Sequence, residues 1–528
     1  MLDIIRNPDD IIIRTDSGEY SSGKTDIRIR FEIREDKLKL YLKADKEYPR
    51  FIILRWNQKA DRPCRVFGDR WERSYGDLMW TGIDPERFMP WYFLVTDGES
   101  TSGCGVAVRP NSFVCFEYDA SGITAWVDVR NGDMGVRLHG RELLAATFVC
   151  ETYKGISSFA AAQKFCALMS PDPILPKAPV YGGNNWYYAY GKFTREGLIN
   201  DVRLMAELSS GLENPPFMVI DDGWSVERCS GPWIPKAEFG DMGGLADEFK
   251  ANGVKPGIWI RLLHNKQLER ERPDWCIKRG ERHGALDPTV PEVKDEIVTC
   301  LRRVKNWGFE LLKHDFTTYD LFGTLGCFLN GSITNDSDWH FKDRTKTNAE
   351  IVSELYSLIR KETEGMVLIG CNTVSHLCAG LVEINRIGDD TSGKSWNRNR
   401  AVGVNTLAFR LSQNRRFYMV DADCVGILGK NIPWELNRQW LDLLAKSGSP
   451  LFVSCDPDSA DNTVKRDLKA AFALSSCQAD TAEPLDWEYN KNPCKWFING
   501  TETEYDWIKE SYPPLLKAYP PNTDNIID

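Results

Sequence analysis

The chain of 528 residues is long enough for two or three folded units, and 42% hydrophobic with 27% charged residues is the balance of an ordinary globular protein. Its formal net charge of -10 argues against nucleic acid or an anionic membrane as the main partner, because both demand a basic footprint. No apolar run is long enough to span a membrane, and the opening MLDIIRNPDD lacks the basic start and hydrophobic stretch of a signal peptide, so a cytoplasmic location is expected.

In chain order, the first predicted elements are strands. DIRIRFEIRED sets Ile27, Ile29, Phe31 and Ile33 against Arg28, Arg30, Glu32 and Arg34, and KLKLYLKAD continues the alternation with Leu38, Leu40 and Leu42. A period of two belongs to strands with one wet face. FIILRWN, FVCFEYD and ITAWVDVR follow, divided by turn chemistry such as DASG and RNGD. Together they predict an antiparallel β-sandwich over residues 1–155. SSFAAAQKFCALM then predicts a short helix and SPDPILPKAP a proline-rich linker, over residues 156–179.

From Val180 the pattern changes to short apolar strands alternating with helical segments, the mark of parallel β/α units. The strands are VYGGNNW, PFMVIDDGW, VKPGIWIRLL, FELLKHDF, MVLIGCN, LVEINRIGDD, FYMVDADC and PLFVSCDP. REGLINDVRLMAELSSG and PEVKDEIVTCLRRVKNWG are helical, the second entered by proline and left by glycine. This predicts an α/β fold, a (β/α)8 TIM barrel over residues 180–458, with a doubly wound open sheet as the alternative. Residues 459–528 read as one more helix, a β-like segment and a proline-rich tail, a small C-terminal β appendage.

The strand ends are polar where the strand bodies are not. Asp221 and Asp222 end the second strand, Lys313 and Asp315 the fourth, Cys371 and Asn372 the fifth, Arg386, Asp389 and Asp390 the sixth, Asp421 and Asp423 the seventh. Leu311, Lys313 and Asp315 share one face, so an ammonium and a carboxylate look into the same space. Carboxylates and cations on one rim suit sugar hydroxyls, and two more carboxylates across an anomeric carbon suit glycoside hydrolysis. Only six histidines are present, and the 15 cysteines form no C-x-x-C pair, so neither a zinc site nor a disulfide framework is indicated. Dinucleotide and P-loop signatures are absent from the sequence.

VIDDGW, GIWI, LLKHDF and RIGDDTSGKSW together resemble the melibiase-type α-galactosidases, glycoside hydrolase families 36 and 27. The resemblance implies a retaining, exo-acting hydrolase of terminal α-galactosides that works by double displacement through a covalent glycosyl-aspartate. It implies Asp315 as nucleophile, Lys313 as a sugar-binding cation, Asp221 and Asp222 as the grip on the C4 and C6 hydroxyls, and Trp186 and Trp259 as pocket walls. Arg386 and Asp390 match the family's arginine and acid/base four residues apart. Strand parity agrees, leaving Asp389 to hold the loop. Asp390 is expected to have a raised pKa, pushed up by Asp315. Cys371 matches a cysteine beside the C2 hydroxyl. Beyond it, Asn372 and the bulky run Thr373-Val374-Ser375-His376 replace small glycines and are expected to close the space of an N-acetyl group. Asp421 and Asp423 carry no family role and are expected to support the site from behind.

The expected partner is a carbohydrate, a terminal α-galactoside, with no cofactor, no metal, no nucleic acid and no membrane; a homo-oligomer stays open. Three alternatives are kept: an α-N-acetylgalactosaminidase or a transglycosylase on the same scaffold, a metal-dependent barrel enzyme using the carboxylates as ligands, and a silent sugar-binding protein.

Overall fold

The computed structural model describes residues 2–59, 62–279, 284–429 and 431–508. Its N-terminal part is two six-stranded antiparallel sheets. One runs Glu19–Ser21, Asp10–Thr15, Pro49–Asn57, Gly122–Asp128, Phe113–Asp119, Met89–Pro90, and the other Arg28–Arg34, Lys37–Lys43, Glu142–Lys154, Ser100–Val106, Tyr92–Thr96, Arg65–Gly68. The alternation seen in sequence sets the register: Ile29 faces Leu42, Phe31 faces Leu40 and Ile33 faces Leu38. Leu38, Leu40 and Leu42 are fully buried, whereas Ile33, near the end of an edge strand, is exposed. The helix Ser158–Met169 follows, its first turn capped by the Ser157 hydroxyl, which accepts from Ala160 N.

The central sheet is wholly parallel and takes its strands in chain order: Tyr181–Asn184, Phe217–Ile220, Lys255–Ile260, Leu311–His314, Val367–Gly370, Ile384–Arg386, then Met419–Asp421. The seventh strand breaks at Ala422 and Asp423. Its first half pairs with the sixth strand, and its second half, Cys424–Ile427, pairs with the eighth, Leu451–Cys455, which pairs back to the first. The two ends of the sheet are thus joined by two residues, and the barrel closes there. Seven of the eight expected segments contain their strands, the seventh segment holds only the first half of its own, and the open-sheet alternative is set aside by this closure.

Phe217, Val219, Leu311, Ile369, Ile384, Met419 and Phe452 fill the barrel interior, with Trp186 among them. The helices Arg195–Leu208, Pro291–Asn306, Asn348–Glu362 and Trp434–Lys446 belong to the outer layer. Their ends follow local chemistry: Pro291 opens one, and Thr347 with Glu350 forms a reciprocal capping box on another. After the helix Asn462–Ser475 comes a three-stranded sheet of Glu483–Pro484, Lys495–Ile498 and Thr501–Glu504. The proline-rich tail lies outside the described residues.

The excursion of the chain between Gly68 and Met89 leaves the sandwich and crosses the barrel mouth. Ser74 N donates to Ile387 O at 2.9 Å and Asp389 N to Ser74 O at 3.0 Å, a backbone bridge onto the end of the sixth strand. Arg410 fastens the same segment, with Nε 3.0 Å from the buried Asp69 and Nη1 donating to Glu72 O. Gly76 sits at φ +74 so close to Ala401 O that a Cβ would come within 2.3 Å, so only glycine lets the backbones meet.

Candidate active site

At the end of the fourth strand, parity holds: Lys313 and Asp315 face the barrel mouth, while His314 packs outward against Tyr356. Asp315 is buried and gripped from three sides. Its Oδ1 accepts from its neighbour Phe316 N and from Asn372 Nδ2, both at 2.7 Å, and its Oδ2 accepts from Trp259 Nε1 at 3.0 Å. Burial pushes this carboxyl up, but Lys313, the Trp259 bond, Arg73 and the Asn372 bond outweigh it and hold it at about 2. It is an ionised carboxylate at any physiological pH.

Lys313 Nζ donates to Asp221 Oδ2 at 2.7 Å, and Asn184 Nδ2 donates to the same oxygen at 2.7 Å. Burial lowers the ammonium's affinity for its proton, but Asp221, Cys371 and Asp315 raise it further, so Lys313 stays charged. Asp222 anchors the loop beyond the second strand: its Oδ1 accepts from Cys229 N at 2.8 Å and its Oδ2 lies 3.4 Å from Arg228 Nε. Burial and the neighbouring Asp221 raise its pKa. The second, fourth and first strand ends therefore form one polar wall.

The opposite wall is the sixth strand. Arg386 Nη2 lies 3.0 Å from Asp390 Oδ1 and 2.8 Å from Asp423 Oδ2, so one guanidinium bridges two carboxylates. Asp389 instead pairs with Arg398 and bonds through its backbone to Ser74, in keeping with a loop-holding part. The expected rise in the Asp390 pKa does not occur. Burial does push it up, but Arg386, Arg73, Arg398 and Lys313 pull it further down, so the net shift is downward. The sequence reading weighed one negative neighbour and could not see the cations folded around it.

Asp423 is more than a distant prop. Besides Arg386, its Oδ2 accepts from Tyr187 OH at 2.5 Å and from Thr391 N at 2.6 Å, while Asp421 Oδ1 receives Asp423 N at 2.9 Å. Burial raises the Asp423 pKa, Arg386 lowers it, and Asp390 and Asp421 raise it again, for a net rise. Three strand ends carry non-glycine residues in the left-handed region: Phe316 at φ 61, Asn372 at φ 49 and Asp423 at φ 77. Such conformations cost about 1 kcal/mol each and are retained where side chains must be aimed.

One expectation needs correcting at the fifth strand. Thr373, Val374, Ser375 and His376 do not close the pocket. Val374 N bonds Tyr356 OH, Ser375 N bonds Trp71 O, and His376 stacks on Trp91 with Nε2 at 2.8 Å from Val106 O. Thr373 Oγ1 turns to Asn385 Oδ1 on the sixth strand, and Ser375 and His376 seat the N-terminal part on the barrel. The Asn372 amide spends its N–H on the nucleophile, and its Oδ1 is left buried with no partner among the described residues.

Trp259 stands against Asp315 and Trp233, and Trp186 lies under Arg228 and beside Tyr190. Cys371 is buried in the same region, its thiol pKa raised by burial and by Asp315. The structure adds residues that sequence reasoning missed: Asn184, Tyr187 and above all Arg73. The Arg73 guanidinium, 8% exposed, arrives from the sandwich excursion and lies 3.6 Å from Asp390 and 4.0 Å from Asp389. Nothing in the order of the chain links it to a barrel strand. Among the described residues, no group of three or more His, Cys, Asp or Glu is placed to hold a metal. Nor is any helix among them long and apolar enough to cross a membrane.

No family model matches the chain. An alignment over 138 residues, taking in 23% of this chain and 18% of the relative's length, is 31% identical to α-galactosidase AgaA of Geobacillus stearothermophilus. Among solved structures, α-galactosidase TtGalA of Thermus thermophilus, in complex with p-nitrophenyl α-D-galactopyranoside, superposes with a TM-score of 0.62 at 16% identity, over 94% of this chain and 98% of that one. The family 36 α-galactosidase AgaA itself gives 0.62 at 13% identity, covering 93% of this chain and 79% of that one. The Lactobacillus brevis α-galactosidase gives 0.61 at 14%, over 92% and 74%. The sandwich-and-barrel architecture is that of the family 36 α-galactosidases, and the resemblance read from the motifs is borne out at the level of the fold.

Proposed function

We propose that the chain is a glycoside hydrolase acting on terminal α-galactosides, with retention of configuration, through Asp315 as nucleophile and Asp390 as acid/base. The observation that carries this reading is the state of Asp315: a buried carboxylate kept ionised by Lys313 and fixed by three hydrogen bonds, across the mouth from a second carboxylate on Arg386. Oδ1 already holds two donors, which leaves Oδ2 as the attacking oxygen. It forms a bond to the anomeric carbon as the glycosidic C–O bond breaks, and Asp390, which the surrounding cations hold ionised in the free site, takes up a proton as the substrate binds and gives it to the departing oxygen. Asp390 then takes a proton from water, whose oxygen displaces Asp315 from the same carbon. Asp221, Asp222 and Lys313 would hold the distant hydroxyls, where two carboxylates suit the donors of an axial C4 hydroxyl.

The fold relatives support the choice of sugar: one TtGalA structure holds a nitrophenyl α-galactoside and another stachyose. The deciding measurement is turnover of 4-nitrophenyl α-D-galactopyranoside followed by proton NMR. An α-configured first product is expected, and β-galactose appearing first would refute the double displacement.

A further inference from the structure

Among the buried polar atoms without partners around the site, two are of opposite hydrogen-bonding character. Arg73 Nε and Asn372 Oδ1 have no hydrogen-bond partner among the described residues. Such orphans normally cost about 1–3 kcal/mol each, so a fold that keeps a pair of them beside a reactive group implies a ligand that satisfies both. Arg73 makes no side-chain hydrogen bond to any described residue; its ion pairs at 3.6 and 4.0 Å are too long for one. It is held in place through its neighbours: Ser74 on the sixth strand, and Glu72, whose Oε1 accepts from Gly326 N at 3.0 Å and Tyr75 OH at 3.0 Å. The segment is thus fastened on both sides of Arg73, whose own side chain makes no hydrogen bond to a described residue.

The orphans are of opposite kinds. An arginine only donates, and an amide oxygen only accepts. A hydroxyl group does both. With the anomeric carbon over Asp315 and the glycosidic oxygen at Asp390, the hydroxyl next to the reacting carbon is the one on C2. Asn372 already touches Asp315, and the Arg73 charge reaches Asp315, Cys371 and Asp390 alike.

We propose that Arg73, delivered by the N-terminal sandwich, donates to the C2 hydroxyl of the bound sugar while that hydroxyl donates to Asn372 Oδ1, so that the sandwich reads the sugar's C2 position. This rests on the hydrolase reading above and deepens it. The substrate class it selects carries a free C2 hydroxyl. An acetamido group would have to displace the guanidinium from a site stitched to the sixth strand.

The test is a cycle of two enzymes and two substrates. Wild type and Arg73→Ala are assayed on 4-nitrophenyl α-galactoside and on its 2-deoxy analogue, with spontaneous hydrolysis of the latter subtracted. The variant is expected to lose about 100-fold in kcat/KM on the galactoside and less than about tenfold on the 2-deoxy sugar, because only the first has a contact to lose. Equal losses on both would overturn the proposal and leave Arg73 acting through Asp390 alone. If Arg73→Ala does not fold, Arg73→Lys, which keeps the charge but not the fork, decides the same comparison with a smaller expected gap. A wild-type protein inert on both sugars would instead bring down the hydrolase reading, and this inference with it.

Discussion

Asp315 and Asp390 have different electrostatic surroundings, and their variants should fail differently. Asp315→Asn keeps the shape but cannot attack carbon, so turnover should fall by several orders of magnitude with the fold intact; retention of a tenth of the activity would contradict covalent catalysis. Asp390→Ala should spare an activated aryl galactoside far more than stachyose, since a good leaving group hardly needs a proton. Azide should then restore release of the sugar from the enzyme. If Asp389→Ala showed that selectivity instead, the roles of the two would have to be exchanged. The places of both aspartates at strand ends were legible in the sequence, because strand parity is a local property, and the roles proposed for them rest on the motif resemblance. Their protonation was not legible there. Against burial, the Asp390 shift is drawn down first by Arg386, its neighbour in the motif, and then by Arg73, Arg398 and Lys313, whose approach is a matter of tertiary folding.

Among elements, the break in the seventh strand and the sandwich excursion decide most. Asp423, in the break, competes with Asp390 for Arg386. Replacing it by asparagine leaves that guanidinium to Asp390 alone, favours the ionised acid, and should move the alkaline limb of kcat/KM to lower pH. A limb that does not move would mean Asp423 only orients Arg386. The excursion depends on the ion pair of Arg410 with Asp69, both essentially inaccessible to water, which Gln413 Nε2 completes at 2.9 Å. Asp69→Ala strands a buried cation and should cost about 3–5 kcal/mol in unfolding free energy, read from denaturant melts. Activity should fall with it, since Arg73 travels on the same segment.

For the molecule as a whole, two buried histidines set the acid limit. Burial holds His314 and His376 at about 4 in the folded protein, below the ordinary 6.5. Between those values the unfolded chain binds the extra protons, so stability is lost as pH falls from 6.5 towards 4, by about 3 kcal/mol for each histidine. Together they are comparable to a typical folding margin. His376 lies in the seam between sandwich and barrel, stacked on Trp91. The melting temperature should therefore drop across this window, and His376→Gln, which can still donate to Val106 O, should flatten the drop. A variant whose pH profile matches wild type would show that the seam is not the acid-sensitive place.

The order of strands and helices, the sandwich and the aspartates of the strand ends were all readable from the chain itself. Each follows from a period of two or of three to four residues, or from neighbours in sequence, and those patterns survive without coordinates. Tertiary structure alone decided what surrounds these groups: that Ser375 and His376 face the N-terminal part, that Asn372 serves the nucleophile, and that Arg73 joins the site from another domain. These depend on residues far apart in the chain and close in space. Burial then makes their charges act strongly on one another, so the chemistry of the site is set by the packing and not by the motif.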